Sequence, residues 1–299
     1  MTVERSPADR PKRRKRSYWR DVWARLRRNR LAMVALCYIV ILIVAALLAP
    51  LLAPQDPIVQ NLSQVREPPS PAHPFGTDLY GRDILSRVLY GSRIALMVGV
   101  IATAVAITIG LLLGGIAGYY GGVVDQCVIF IYSIVATFPE LLFILALTNA
   151  LPPSGEPRLF KVYLAIGLAS WVGICRLTRN LFRSFREQEY VLAAKALGAG
   201  PLRIIFRHML PNMIGFVVVA IAGGIAGAIA AEAGISFLGF GVTPPNPSWG
   251  VMVSEGRSYL QSAWWMIVCP AVATLLAVFS FNLLADGLRD AFDPRHQTA

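Results

Sequence analysis

The sequence predicts an all-α membrane protein with six transmembrane helices and both termini on the cytoplasmic side. Three observations carry this reading. Of the 299 residues, 56% are hydrophobic and only 15% are charged, against about 25% charged in a soluble domain. Leu31 to Ala53, Ile94 to Val124 and Ala263 to Ala285 contain no charged residue over 23, 31 and 23 positions. At 1.5 Å rise per residue, about 20 apolar residues cross the ~30 Å hydrocarbon core. Finally, the Lys and Arg are unevenly placed: segments 1–30, 118–125, 176–212 and 286–299 hold 21 of the 28. Basic loops stay in the cytoplasm, and only six spans put all four of these segments on one side.

The first span is 31–53. Before it lies a basic cytoplasmic segment, 1–30, with 12 Lys and Arg, among them Lys12-Arg13-Arg14-Lys15-Arg16. This tail and the net charge of +11 raise a nucleic-acid reading. Next to an apolar run, the same charges read as an anchor held by anionic membrane lipid, and no nucleic acid is expected as partner. The run exceeds the ~7–15-residue apolar core of a cleaved signal peptide. Residues 54–91 form an extracytoplasmic loop that opens on prolines. It closes with Ile84, Leu85, Val88 and Leu89 on one helical face, the pattern of an interfacial amphipathic helix.

The remaining five spans make a core at 92–287. The second, 92–117, is rich in glycine. The third, 126–150, contains Pro139 and Glu140. The fourth, 159–176, is the shortest. The fifth, 213–237, is interrupted by Glu232, and the sixth is 263–285. Asp125 falls at an inner boundary, within reach of water. Between the last two spans, Pro244-Pro245-Asn246-Pro247 and Trp249 suggest a stiff turn at the outer mouth. Residues 288–299 form a cytoplasmic tail. Cys37, Cys127, Cys175 and Cys269 are far apart with no C-x-x-C spacing, so neither a disulfide framework nor a metal site is expected.

Charges inside apolar spans are functional candidates by default. Glu232 and Glu140 are therefore candidates for a solute pathway. The alternative for Glu232 is a structural hydrogen bond across helices. For Glu140 it is compensation of backbone groups freed at Pro139. Trp249 could stack on a solute, or anchor at the membrane interface.

The inner loop 187–211 reads as a helical hairpin. Glu187 to Leu197 is a good helix former whose Ala193, Ala194 and Ala196 give a thin face. Gly198-Ala199-Gly200-Pro201 breaks it: glycine suits the C-cap and proline the first turn of the next helix. Leu202 to Met209 is amphipathic, with Arg203 and Arg207 on its polar side, and Leu210-Pro211 ends it. A hairpin with one thin side suits docking into a partner's groove. A plain connector lying on the membrane is the simpler reading.

The stretch Glu189-Tyr190-Val191-Leu192-Ala193-Ala194-Lys195-Ala196-Leu197-Gly198, followed by Leu210-Pro211, resembles the EAA loop of ATP-binding-cassette importer permeases. Ala193, Ala194, Gly198, Leu210 and Pro211 match that pattern in register. Leu192 stands where the family has Glu, and His208 where it has Ile. Gly76-Thr77-Asp78-Leu79-Tyr80-Gly81-Arg82-Asp83 resembles a signature of the C-type permeases for dipeptides, oligopeptides and nickel. So do Ser236-Phe237-Leu238-Gly239-Phe240-Gly241 with Trp249-Gly250, and Asp286-Gly287-Leu288-Arg289-Asp290 with Asp293-Pro294.

The resemblance implies the type I (MetI-like) permease fold in a bacterial plasma membrane. It implies one half of a pathway for di- or oligopeptides, shared with a second permease subunit. Two cytoplasmic ATPase subunits would carry ATP and magnesium, and an extracytoplasmic binding protein would deliver the solute. Glu189, Tyr190, Ala193, Ala194, Gly198, Arg203, Leu210 and Pro211 would couple the chain to the ATPases. No G-x-x-x-x-G-K-[ST] occurs in this chain, so no cofactor and no catalytic residue are expected here. Nickel or glutathione as solute, and an ATP-independent secondary transporter, are the alternatives.

Overall fold

The computed structural model describes residues 18–151 and 158–293. They are helical, with a single isolated β-bridge between Thr77 and Asp83. The element order is α1 (Tyr18–Leu26), α2 (Arg30–Leu47), α3 (Ala49–Leu52), α4 (Ile84–Tyr120), α5 (Gly122–Thr137) and α6 (Glu140–Ala150). It continues with α7 (Arg158–Arg186), α8 (Glu189–Ala196), α9 (Pro201–Ile204), α10 (Ile214–Phe237), α11 (Trp249–Gly256) and α12 (Trp265–Phe292). Five helical stretches are long and apolar enough to cross a membrane, and α5 with α6 makes a sixth if that bent pair is one span.

The longest helix, α4, runs 37 residues, or about 55 Å. Asp83 caps it, accepting from the Ser86 backbone N–H at 2.7 Å. The stretch expected to lie flat as an interfacial helix is instead its first turn, because nothing after Asp83 interrupts the helical hydrogen bonds. α4 packs along α7 through Gly110, Gly114 and Gly118. A Cβ at Gly114 would stand 2.5 Å from the carbonyl oxygen of Cys175, and one at Gly118 equally close to that of Arg179. Small residues four apart let two backbones touch.

The expected third span is not one straight helix. α5 and α6 meet at an angle of 95°. Pro139 has no N–H to donate and disfavours helical backbone at the residue before it. Phe138 is accordingly extended, at φ −84° and ψ 137°. α5 is pinned to α7 by a two-pronged ion pair: Arg179 Nη2 donates to Asp125 Oδ2 at 2.6 Å, and Nε to Oδ1. Asp125 is thus paired rather than simply solvated.

The fourth span is longer than expected, because α7 continues to Arg186. The fifth is preceded by an unbroken helical lead from Pro201. That lead widens into a π-helical turn at Ile205–Met209 and tightens at Leu210–Met213. Pro211 is the physical reason: it cannot hydrogen-bond back to residue 207, and its ring crowds that carbonyl.

The bundle has two distinct ends. The basic end gathers α1, the α8–α9 hairpin and the C-terminal turn of α12. The opposite end carries the long 54–83 loop and α11. One buried cluster joins α2, α4, α10, α11 and α12 around Ile39, Ile84, Ile229, Trp265 and Phe281.

Candidate functional site

At the basic end, α8 and α9 form a hairpin whose bend is built by Gly198. Gly198 sits at φ +80°, and its N–H donates to Lys195 O at 2.9 Å, while Ala199 N–H reaches Ala194 O at 3.0 Å. This paired return satisfies carbonyls that a helix C-terminus otherwise leaves bare. Gly200 and Pro201 then start α9. Val191, Ala194, Ile204, Met209 and Met213 are buried against Phe182 of α7. Burying such apolar side chains contributes roughly 1.5–3 kcal/mol each, so the hairpin is fastened to α7 and α10 rather than hanging as a loose loop.

The outward rim of the hairpin carries large exposed apolar side chains among its charges. Leu197 is 88% exposed, Leu202 69% and Phe206 62%; Leu192 and Tyr190 are also exposed. Glu189, Ala193, Arg203 and Pro211 share that surface, while Leu210 is half-buried. The thin alanine face is split: Ala194 turns into the bundle, and Ala193 and Ala196 face out. A helix presents residues one apart to different sides, which a composition argument overlooks. Tyr190 is tied to the far arm, its hydroxyl accepting from Asn212 Nδ2 at 3.4 Å. Partial loss of water around its ring raises the Tyr190 phenol above its ordinary pKa, against the lowering effect of the Asn212 hydrogen bond.

Behind the hairpin lies a cavity of about 650 Å³ between α4, α7, α10 and α12. Its walls are mostly apolar, with Thr103, Ser170, Asn282, Asp286 and Arg289 as the polar groups. The Thr103 hydroxyl is buried with no hydrogen-bond partner among the described residues. A second cavity of about 370 Å³ adjoins it, sharing Ser170, Gly224 and Ala228, and Glu140 stands on its wall. Ser170 donates to Glu140 Oε1 at 3.0 Å. Glu140 begins α6, where a carboxylate favours the helix N-terminus.

Glu232 lies elsewhere. It is buried and accepts from the hydroxyls of Ser236 at 2.6 Å and Ser248 at 2.7 Å, fastening α10 to the turn before α11. Trp249 is 2% exposed and donates from Nε1 to Val88 O at 3.0 Å. Its ring seals α11 against α4.

The glycine-rich stretch at the opposite end is a buried framework. Gly76 and Gly81 have φ +75° and +69°. A Cβ at Gly81 would fall 1.8 Å from Asn61 O, so only glycine lets the two loop segments meet. Thr77 Oγ1 donates to Gln64 O at 2.5 Å, and Thr77 O accepts from Trp265 Nε1 at 3.1 Å. Asp83 caps α4 and contacts His73 Nδ1 at 3.1 Å. Asp78 receives Arg82 Nε at 2.6 Å and also Arg87. Both arginines continue to Glu255 of α11, at 3.0 and 2.8 Å. The sequence reading missed Arg87 and Glu255. Their only sequence signal was charge beside an apolar span, and they are 168 positions apart.

The family model described as "Binding-protein-dependent transport system inner membrane component" matches residues 106–297. The chain belongs to this family. A second model, the N-terminal TM domain of oligopeptide transport permease C, matches residues 17–69. The dipeptide transport system permease protein DppC of Bacillus subtilis is 40% identical to this permease over 96% of its chain and 89% of the relative. The oligopeptide transport system permease protein OppC of the same organism is 39% identical, over 93% and 90%. The glutathione transport system permease protein GsiD of Pectobacterium atrosepticum is 38% identical, over 94% and 92%. A solved structure of the MetNI methionine ABC transporter in inward-facing conformations superposes with a TM-score of 0.54. That likeness covers 69% of this chain and 97% of the other, at 18% identity, and places the permease in the MetI-like fold. As a member of this family the chain is a transport subunit of an ABC importer, without an ATPase of its own.

Proposed function

We propose that this permease carries di- or oligopeptides into the cytoplasm, with its basic end and both termini on the cytoplasmic side of a bacterial inner membrane. A second permease subunit completes the pathway. An extracytoplasmic binding protein loads it, and two ATPase subunits with ATP and magnesium close beneath it. The observation that carries this reading is the mechanical continuity of the hairpin. Its exposed rim of Leu192, Leu197, Leu202 and Phe206 is an anchor for a partner groove. Its buried side, through Met209 and Met213, is continuous with α7 and α10, which wall the larger cavity. A push on the rim therefore reaches the cavity wall.

Within the pathway we assign Glu140, on a cavity wall, to the solute. Glu232 and Trp249 belong to the framework, as do Gly76, Thr77, Asp78, Gly81, Arg82 and Asp83. Peptides are favoured because the dipeptide and oligopeptide permeases of B. subtilis align over nearly the whole chain. Glutathione is the second reading, supported by the similar identity of GsiD; as a tripeptide it would use the same pathway chemistry.

The test is ATPase stimulation of the reconstituted complex by its binding protein. Peptide-loaded binding protein is expected to stimulate hydrolysis several-fold over the empty form, and nickel chelates are not. Stimulation by nickel chelates alone would overturn the peptide assignment. Copurification of the chain without any ATPase would overturn the coupling role.

A further inference from the structure

α1 has two faces with different chemistry. One is docked: Val22 and Leu26 are buried against Ala32, Leu288, Ala291 and Phe292. Arg25 Nη1 donates to Ala291 O and Asp293 O, each at 3.2 Å, filling carbonyls that the end of α12 leaves without helical donors. The other face presents Trp23 and Arg27 four residues apart, with Trp23 45% exposed, while Trp19 turns edge-on to Phe292 on the docked side, ring centroids 6.0 Å apart. The Arg27 guanidinium lies 5.7 Å from the centre of the Trp23 ring, and Arg20 and Arg28 are exposed beside it.

The position of this face is fixed by the chain. Only Arg27, Arg28 and Asn29 separate α1 from α2, the first apolar span. Three residues reach about 10 Å at most, and the link is folded back: Arg27, Arg28 and Asn29 donate to Trp23 O, Arg25 O and Leu26 O at 2.9–3.0 Å. The indole and guanidinium stripe therefore lies at the membrane boundary. Tryptophan settles at the head-group level, and each Lys or Arg there is drawn to anionic lipid. Asp21 is the one acidic residue of α1, and it is half-buried.

The docked face leads inward. Phe292 sits on the wall of the larger cavity and against Gly215 at the start of α10, where an added Cβ would stand 2.9 Å from the Phe292 ring. Gly215 directly follows the helical lead out of the hairpin.

We infer that α1 is a lipid-reading latch: Trp23, Arg20, Arg27 and Arg28 bind anionic head groups, and Arg25, Val22 and Leu26 thereby hold the end of α12 at the cavity mouth. The inference rests on the proposed orientation only for naming the leaflet as the cytoplasmic one. Its lipid contact is testable in symmetric bilayers, so the two can fail separately.

The experiment uses the assembled transporter in nanodiscs of phosphatidylcholine with a minority of phosphatidylglycerol. Either lipid is brominated near the glycerol end of its acyl chains. The fluorescence difference between the wild type and Trp23→Phe isolates Trp23. Bromine on phosphatidylglycerol is expected to quench Trp23 about two-fold more than the same mole fraction on phosphatidylcholine. The preference is lost in the triple variant R20Q/R27Q/R28Q and in about 1 M salt, where the screening length is ~3 Å. Equal quenching by the two lipids, or none, overturns the lipid site. Arg25→Met tests the latch: quenching keeps its preference, while transport loses its stimulation by phosphatidylglycerol. Wild-type stimulation in Arg25→Met overturns the link to α12.

Discussion

Arg87, in the first turn of α4, donates to Glu255 of α11 at 2.8 Å, and both reach the Arg82–Asp78 pair in a cluster of two positive and two negative side chains. Arg82, Arg87 and Asp78 are no more than 2% exposed. Taking such charges out of water is costly, and their mutual pairing offsets that cost only while all partners are present. The cluster therefore works as a fastener between the 54–83 loop, α4 and α11. Glu255→Ala leaves two buried guanidinium groups facing one carboxylate. It is expected to destabilise the fold by about 3–5 kcal/mol, read as a lower inactivation temperature of the purified permease in detergent. Glu255→Gln, which still accepts hydrogen bonds, should lose less. An inactivation temperature unchanged in both variants would show that the cluster holds nothing together.

Gly198 has no atom within 4 Å of where a Cβ would stand, so its constraint is the backbone alone. At φ +80° a β-branched side chain is strained, by roughly 1–2 kcal/mol or more, while Asn tolerates this region. Gly198→Val should shift the bend between α8 and α9 and raise the ATP hydrolysed per solute transported. Gly198→Asn should leave that ratio near the wild type. If valine and asparagine give the same ratio at equal expression, the bend is not what transmits the motion.

The membrane class, most of the membrane-length helices and the hairpin were legible because each is written locally. Long uncharged runs, loop charges and Gly-x-Gly-Pro at 198–201 need no knowledge of distant residues. The 95° bend between α5 and α6 was half-legible: Pro139 marks the place, but the angle depends on what α6 leans on, and that is α7. The surroundings of the two carboxylates were illegible for the same reason. Glu140 and Glu232 look alike as lone carboxylates in apolar runs. What separates them is Ser248, 16 positions after Glu232, and the empty space beside Glu140, neither of which periodicity can foresee. The split of Ala193 from Ala194 was available from the helical period and shows that small composition alone does not define a face.

The two carboxylates yield the sharpest test of the pathway. Glu232 accepts from two serine hydroxyls through one oxygen, and a glutamine carbonyl can accept the same pair. Glu232→Gln is therefore expected to preserve transport of all peptides equally, whereas Glu232→Ala strands both hydroxyls at about 1–3 kcal/mol each and lowers expression. Glu140 has one serine on one oxygen and open cavity on its other side. If it meets a peptide's amino terminus, Glu140→Gln should weaken uptake of peptides with a free amine several-fold and leave N-acetylated peptides unaffected. Uptake measured in proteoliposomes with matched peptide pairs separates the two. An amine-dependent loss in Glu232→Gln, with none in Glu140→Gln, would reverse the assignment and put Glu232 on the path.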